Sequence, residues 1–258
     1  MTQSPRKFVW YELLTTDPAA AERFYRDVVG WSAQDSGVPG MAYTLLSAGE
    51  TQIGGLMALP EAALKMGARP GWIGYVGVED VDAEADAFTK AGGVVHKAAA
   101  DIPGVGRFAV VGDPQGAALT LFKGASDAEP APGPRGARGH IGWRELHAID
   151  REAAFAFYAD RFGWTKGDAM DMGPMGVYQL FKAGGDEAIG GMMTKLEAMP
   201  VPFWLYYFNV AGIDAAVKAV EAAGGQILNG PHEVPGGDFI LQALDPQGAM
   251  FALVGPRG

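Results

Sequence analysis

Hydrophobic and polar positions change period along the chain, and the changes mark its elements. Phe8 to Thr15 is a short apolar run with strand propensity. Asp17 followed by Pro18 supplies a helix N-cap with proline at the first helical position. Ala21, Phe24, Tyr25 and Val28 then fall at i, i+3, i+4 and i+7, which predicts a helix with one buried stripe, stopped by Gly30. Strands are predicted around Tyr43 to Ser47 and Gln52 to Leu59. A second cycle opens with a strand from Trp72 to Val78. It continues with a helix capped near Asp80 that buries Val81, Ala85 and Phe88 and stops at Gly92-Gly93. Strands near Val94, Phe108 and Ala118 close it.

The pattern then starts again. Trp10, Glu12, Asp17, Tyr25, Gly30 and Trp31 recur as Trp143, Glu145, Asp150, Tyr158, Gly163 and Trp164, each pair 133 positions apart. The glycine pair Gly54-Gly55 returns as Gly190-Gly191, and Asp113-Pro114-Gln115-Gly116 as Asp245-Pro246-Gln247-Gly248. Ile213, Val217 and Val220 form the last helix stripe, with Gly224-Gly225 as its stop. Between the copies, residues 124–139 read as an Ala/Pro/Gly-rich linker that cannot bury a core. Residues 1–123 and 140–258 therefore form two domains of like fold, and four βαβββ modules account for the chain.

Composition narrows the function classes. Of 258 residues, 48% are hydrophobic and 19% charged, a balance that supports a packed core. A formal net charge of -10 has the wrong sign for coating nucleic acid or an anionic membrane surface. With no cysteine, disulfides, thiolate metal sites and a cysteine nucleophile are excluded. Met1 to Lys7 is polar without an apolar signal core, and no run approaches about 18 apolar residues, so the expected location is cytoplasmic.

The order of DPAAAERFYRDVVGW and DPQGAALTLF, repeated as DREAAFAFYADRFGW and DPQGAMFALV, resembles the glyoxalase/bleomycin-resistance/extradiol-dioxygenase family, the vicinal oxygen chelate (VOC) proteins. The resemblance covers nearly all of the chain outside the linker and is closest to tandem-domain members. It implies an α+β fold: two tandem glyoxalase-like domains, each a pair of curved mixed sheets around a cleft. It also implies a divalent metal held by the first and last strands of each module. The positions that would hold it are Trp10, Ile73 and Thr120 in the first copy, and Trp143, Leu205 and Ala252 in the second. The remaining position falls among Gly54 to Met57 and Gly190 to Met193, where no carboxylate or imidazole occurs. Indole and aliphatic groups cannot replace oxygen or imidazole donors, so the expectation is no metal cofactor.

Other groups become the candidates. Strand alternation puts Trp10 and Glu12 on one face, and likewise Trp143 and Glu145. A carboxylate beside an indole in an apolar cleft is a candidate acid/base, so Glu12 and Glu145 are the catalytic candidates. The competing reading has each glutamate hydrogen-bonded as a brace for the sheet. Trp10, Tyr43, Trp72, Tyr75, Trp143, Tyr178 and Tyr207 are the candidate walls of a pocket for a flat or ring-bearing ligand. Arg107, in a hairpin loop, is weighed as a partner for Glu12 or an anion against a solvated surface role. His96, His140, His147 and His232 do not recur as aligned pairs, and none sits at an implied ligand position.

Two functions from different classes remain. One is a metal-free small-molecule-binding protein, with an aromatic ligand in each domain, that sequesters it or reports occupancy to a regulatory protein partner. The other is an enzyme on an aromatic or carbonyl substrate, using Glu12 or Glu145 or, through misplaced ligands, a metal. The chain is expected to be a monomer or weak dimer.

Overall fold

A computed structural model describes residues 5–38, 40–126 and 136–258. The central part of the linker, 127–135, lies outside them.

The first repeat runs β1 (Phe8–Thr15), α1 (Pro18–Val28), β2 (Ser32–Asp35), β3 (Tyr43–Ala48), β4 (Thr51–Ala58), the short α2 (Glu61–Lys65), β5 (Gly71–Gly77), α3 (Val81–Lys90), β6 (Val94–Ile102), β7 (Gly106–Gly112) and β8 (Ala118–Gly124). The second runs β9 (Ile141–Ala148), α4 (Arg151–Phe162), β10 (Thr165–Asp171), β11 (Val177–Lys182), β12 (Gly190–Thr194), β13 (Phe203–Asn209), α5 (Ile213–Ala222), β14 (Gln226–Glu233), β15 (Phe239–Leu244) and β16 (Met250–Gly255). Strands of each repeat join in one eight-stranded mixed sheet, in the order β2-β3-β4-β1-β5-β8-β7-β6 and its counterpart β10-β11-β12-β9-β13-β16-β15-β14. The repeated module is as the pattern predicted, and the α+β class is as the resemblance implied. No helix among the described residues is long and apolar enough to cross a membrane.

Local chemistry explains the boundaries. Asp17 accepts a hydrogen bond from the Ala20 amide at 3.0 Å, and Asp80 from Ala83 at 3.0 Å, so the predicted caps close the first turns of α1 and α3. The predicted stripes of both helices are buried. In α5 the buried set is Ile213, Ala216 and Val220, so Ala216 takes the inward place assigned to Val217. The strand β2 and the short α2 had no sequence signal.

Two compact units form, and each draws on both repeats. Of the described residues, one contains 10–38, 40–72, 136–142 and 205–258; the other contains 5–9, 73–126 and 143–204. In the first, the α1 stripe meets Trp31, Trp72, Phe208 and Phe251, with Trp31 and Phe208 centroids 4.8 Å apart. In the second, α4 meets Phe88, Trp164 and Trp204, with Tyr158 stacked on Trp164 at 5.3 Å, and Phe8 stacks against Trp164 at 5.5 Å.

A polar relay crosses each core. Trp72 Nε1 donates to Tyr25 Oη at 2.9 Å, and Tyr25 donates to Asp245 at 3.2 Å. Trp204 Nε1 donates to Tyr158 at 3.2 Å, and Tyr158 to Asp113 at 2.9 Å. Each aspartate also accepts backbone amides of its own Asp-Pro-Gln-Gly turn. The repeated Phe-Tyr and Asp-Pro-Gln-Gly motifs are thus two ends of one contact, the tyrosine of one copy against the aspartate of the other. Burial, then the Asp245 charge, push the Tyr25 phenol well above its ordinary value, so it stays a donor.

Candidate functional site

Successive residues of β1 face opposite sides of the sheet. Tyr11 and Leu13 are buried, Tyr11 packing edge-on against Tyr206 at 5.2 Å. Trp10, Glu12 and Leu14 take the other face. Glu12 pairs in register with Gly55 of β4, and Gly55 with Leu45 of β3. A Cβ at Gly55 would collide with the Tyr43 ring and hydroxyl, so the glycine is what lets that ring lie across β4. Having crossed, Tyr43 accepts a hydrogen bond from Trp10 Nε1 at 2.8 Å and donates to Glu12. Burial, with the Glu12 charge as the second cause, raises the Tyr43 phenol far above its ordinary value and keeps its proton in place.

The second repeat builds the same frame. Gly191 pairs with Glu145, and a Cβ there would collide with the Tyr178 ring. Trp143 Nε1 donates to Tyr178 Oη at 2.7 Å, and Tyr178 donates to Glu145 Oε2 at 2.8 Å. A further group joins here: His147 Nε2 lies 2.7 Å from Glu145 Oε1, and its ring stacks on Phe203 at 4.7 Å. His147 is two residues beyond Glu145 and four beyond Trp143, so strand alternation carried the signal that was missed. Leu14 occupies its place in the first repeat.

The structure thus brings together Trp10, Tyr43 and Glu12, and separately Trp143, Tyr178 and Glu145. It does not bring Trp72 to either set. Trp72 is three positions from Tyr75, so the two face opposite sides of β5; Trp72 lies in the helix-side core, its indole held by Tyr25. That corrects its assignment to the pocket wall. Tyr75 pairs in register with Thr120 and meets Phe122 edge-on at 5.9 Å. Tyr207 accepts from Gln242 Nε2 at 2.9 Å. Arg107 does not serve Glu12: its guanidinium holds Asp82 at 2.6 and 2.8 Å and Asp101 at 2.9 Å. Those hydrogen bonds hold the Asp82 carboxyl below its ordinary value.

The metal implied by the resemblance can be tested against these side chains. Trp10 and Trp143 commit their N–H groups to tyrosines and offer no lone pair in the ring plane. Thr120 brings one buried hydroxyl, and Ile73, Leu205 and Ala252 bring none. Among the described residues no three His, Cys, Asp or Glu side chains are grouped to hold an ion. This donor set does not fit a divalent metal.

The profile of the glyoxalase/bleomycin resistance protein/dioxygenase superfamily matches residues 7–121 and again 139–253. The chain belongs to this superfamily. Within it, the chain is 32% identical over 260 residues to CFP32 of Mycobacterium tuberculosis, whose name places it provisionally among glyoxylases, covering 96% of this chain and 94% of that one. It is 30% identical over 264 residues to the anthracycline biosynthesis protein DnrV of Streptomyces peucetius, covering 97% and 94%. Among solved structures, the Mn(II)-bound glyoxalase of Novosphingobium aromaticivorans superposes with a TM-score of 0.65 at 16% identity, covering 99% of this chain and 83% of that one. The 2,3-dioxygenase LapB of Pseudomonas sp. KL28 gives 0.63 at 12% identity, covering 98% and 92%. At these identities the likeness is one of fold.

Proposed function

We propose that this chain is a small-molecule-binding member of the superfamily, with a site in each repeat that takes a flat aromatic ligand without the family's metal. One observation carries the reading: an indole–phenol–carboxylate chain stands where the resemblance places a metal ligand, and it stands there twice. The indole can only donate, so the chain has one direction, from tryptophan through tyrosine to carboxylate. Rings locked this way supply rigid apolar walls with few polar contacts, the composition of small-ligand sites. A relative named for anthracycline biosynthesis accords with a ring-bearing ligand. Glu12 and Glu145 act here as acceptors that orient the tyrosines, which supports binding over acid/base chemistry. Sequestration of the ligand, or a report of its occupancy to a partner protein, is the role that follows.

The test is elemental analysis of the untagged protein beside thermal-shift titrations with nickel, zinc, manganese, iron and a panel of aromatic ligands. We expect no stoichiometric metal, no metal-dependent rise in melting temperature, and a rise that saturates with an aromatic ligand. One ion per repeat would overturn the reading.

A further inference from the structure

Hydrogen-bond direction in the second repeat assigns the imidazole nitrogen that donates to the carboxylate. Trp143 can only donate, so Tyr178 accepts its N–H and passes its own hydrogen to Glu145 Oε2. An ionised carboxylate only accepts, so the bond to Glu145 Oε1 comes from a hydrogen on His147 Nε2. In the neutral ring Nδ1 then carries a lone pair. That atom is buried and has no hydrogen-bond partner, while the side chain is only 3% exposed. Buried polar atoms are nearly always paired, and one left over on a ring locked by a carboxylate and by a stack on Phe203 is placed to receive a donor from a ligand. Leu14 provides nothing comparable in the first repeat.

We infer that the second-repeat site selects an aromatic ligand bearing a hydroxyl, a phenol or enol whose O–H donates to His147 Nδ1, whereas the first-repeat site does not discriminate. This rests on the binding function proposed above and names the ligand class of one site. Phe203, partly exposed at the start of β13, stacks on one face of the imidazole, whereas the Nδ1 lone pair points outward in the ring plane.

The probes are phenol and its methyl ether, anisole, in which a methyl group replaces the donated hydrogen. Titrations of protein labelled with 15N in tryptophan and histidine follow the Trp10 and Trp143 indole signals, assigned with W10F and W143F, and the His147 ring nitrogens. We expect the free protein to show hydrogen on Nε2 only. Phenol should then perturb Trp143 about tenfold more tightly than anisole, the worth of one hydrogen bond, with Nδ1 shifting as it accepts. H147L should erase the preference and L14H should create one at Trp10. A proton on Nδ1 in the free protein, equal affinities for the two probes at Trp143, or a preference that survives in H147L would overturn this inference and leave the binding function standing. No response of either indole to either probe would overturn both. The wild-type spectra decide the matter even where a variant fails to fold.

Discussion

The two repeats share a frame and differ beside it. Trp10, Tyr43, Glu12 and Gly55 match Trp143, Tyr178, Glu145 and Gly191 in identity and in contact. Two residues further along the strand, Leu14 faces His147 in the alignment of the copies, and Val110 answers to Gln242. The frame residues depend on one another: without the glycine the tyrosine cannot cross, and without the tyrosine the indole loses its acceptor and the carboxylate loses that donor. Leu14 and His147 sit outside that dependence, so a polar group can be placed there without disturbing the chain of bonds. Repetition in this molecule marks what the geometry requires, and divergence marks where specificity is free to change.

The comparison is broken most severely at the cores. Trp31 and Trp164 are each 2% exposed, Trp31 stacked on Tyr25 and Trp164 on Phe181. Trp31→Ala and Trp164→Ala should each cost about 3–5 kcal/mol by urea denaturation, as large aromatic-to-alanine changes in cores do. Equal losses would say that the two units are equivalent in packing. A smaller effect belongs to the frame: Gly55→Ala and Gly191→Ala force the Tyr43 and Tyr178 rings aside and should each cost about 1–3 kcal/mol. The Trp10 or Trp143 indole N–H signal should move with them. A mutant with unchanged stability and indole signal would mean that the ring has another way across.

The smallest effect is one of pH, read at two tyrosines of the first repeat. Tyr25 and Tyr43 both hold their protons more tightly when folded, through burial and then a neighbouring carboxylate. An unfolded tyrosine ionises near pH 10, so the unfolded chain binds fewer protons above that value. Stability present below about pH 10 should therefore fall as pH rises further, by up to about 1.4 kcal/mol per pH unit for each such tyrosine. Y25F should remove one share of that slope, read from urea midpoints between pH 9 and 11. An unchanged slope would count against Tyr25 as its source.

Much of this was legible in the chain. Caps at Asp17 and Asp80, the stripes of α1 and α3, the glycine pairs and the alternation that set Glu12 beside Trp10 are all local features, and local sterics enforce them. The face of Trp72 was legible too, since an odd spacing from Tyr75 puts the two on opposite sides of a strand. The short edge strand β2 carries the sequence SAQD, with neither apolar alternation nor β-branched residues, and only its pairing with β3 makes it a strand.

By itself, then, the sequence determined the repeat, the modules, the helix stripes and which side chains stand at the positions the family would use for a metal. Those follow from period, caps and side-chain chemistry, which need no knowledge of distant contacts. Only the tertiary structure decided that Tyr25 meets Asp245 and Tyr158 meets Asp113, that Gly55 and Gly191 make room for the tyrosine rings, and that His147 completes a chain begun at Trp143. Each of these joins residues far apart in the chain or depends on which face of a strand a neighbour covers, and that is set by packing, where burial forces every polar group to find a partner.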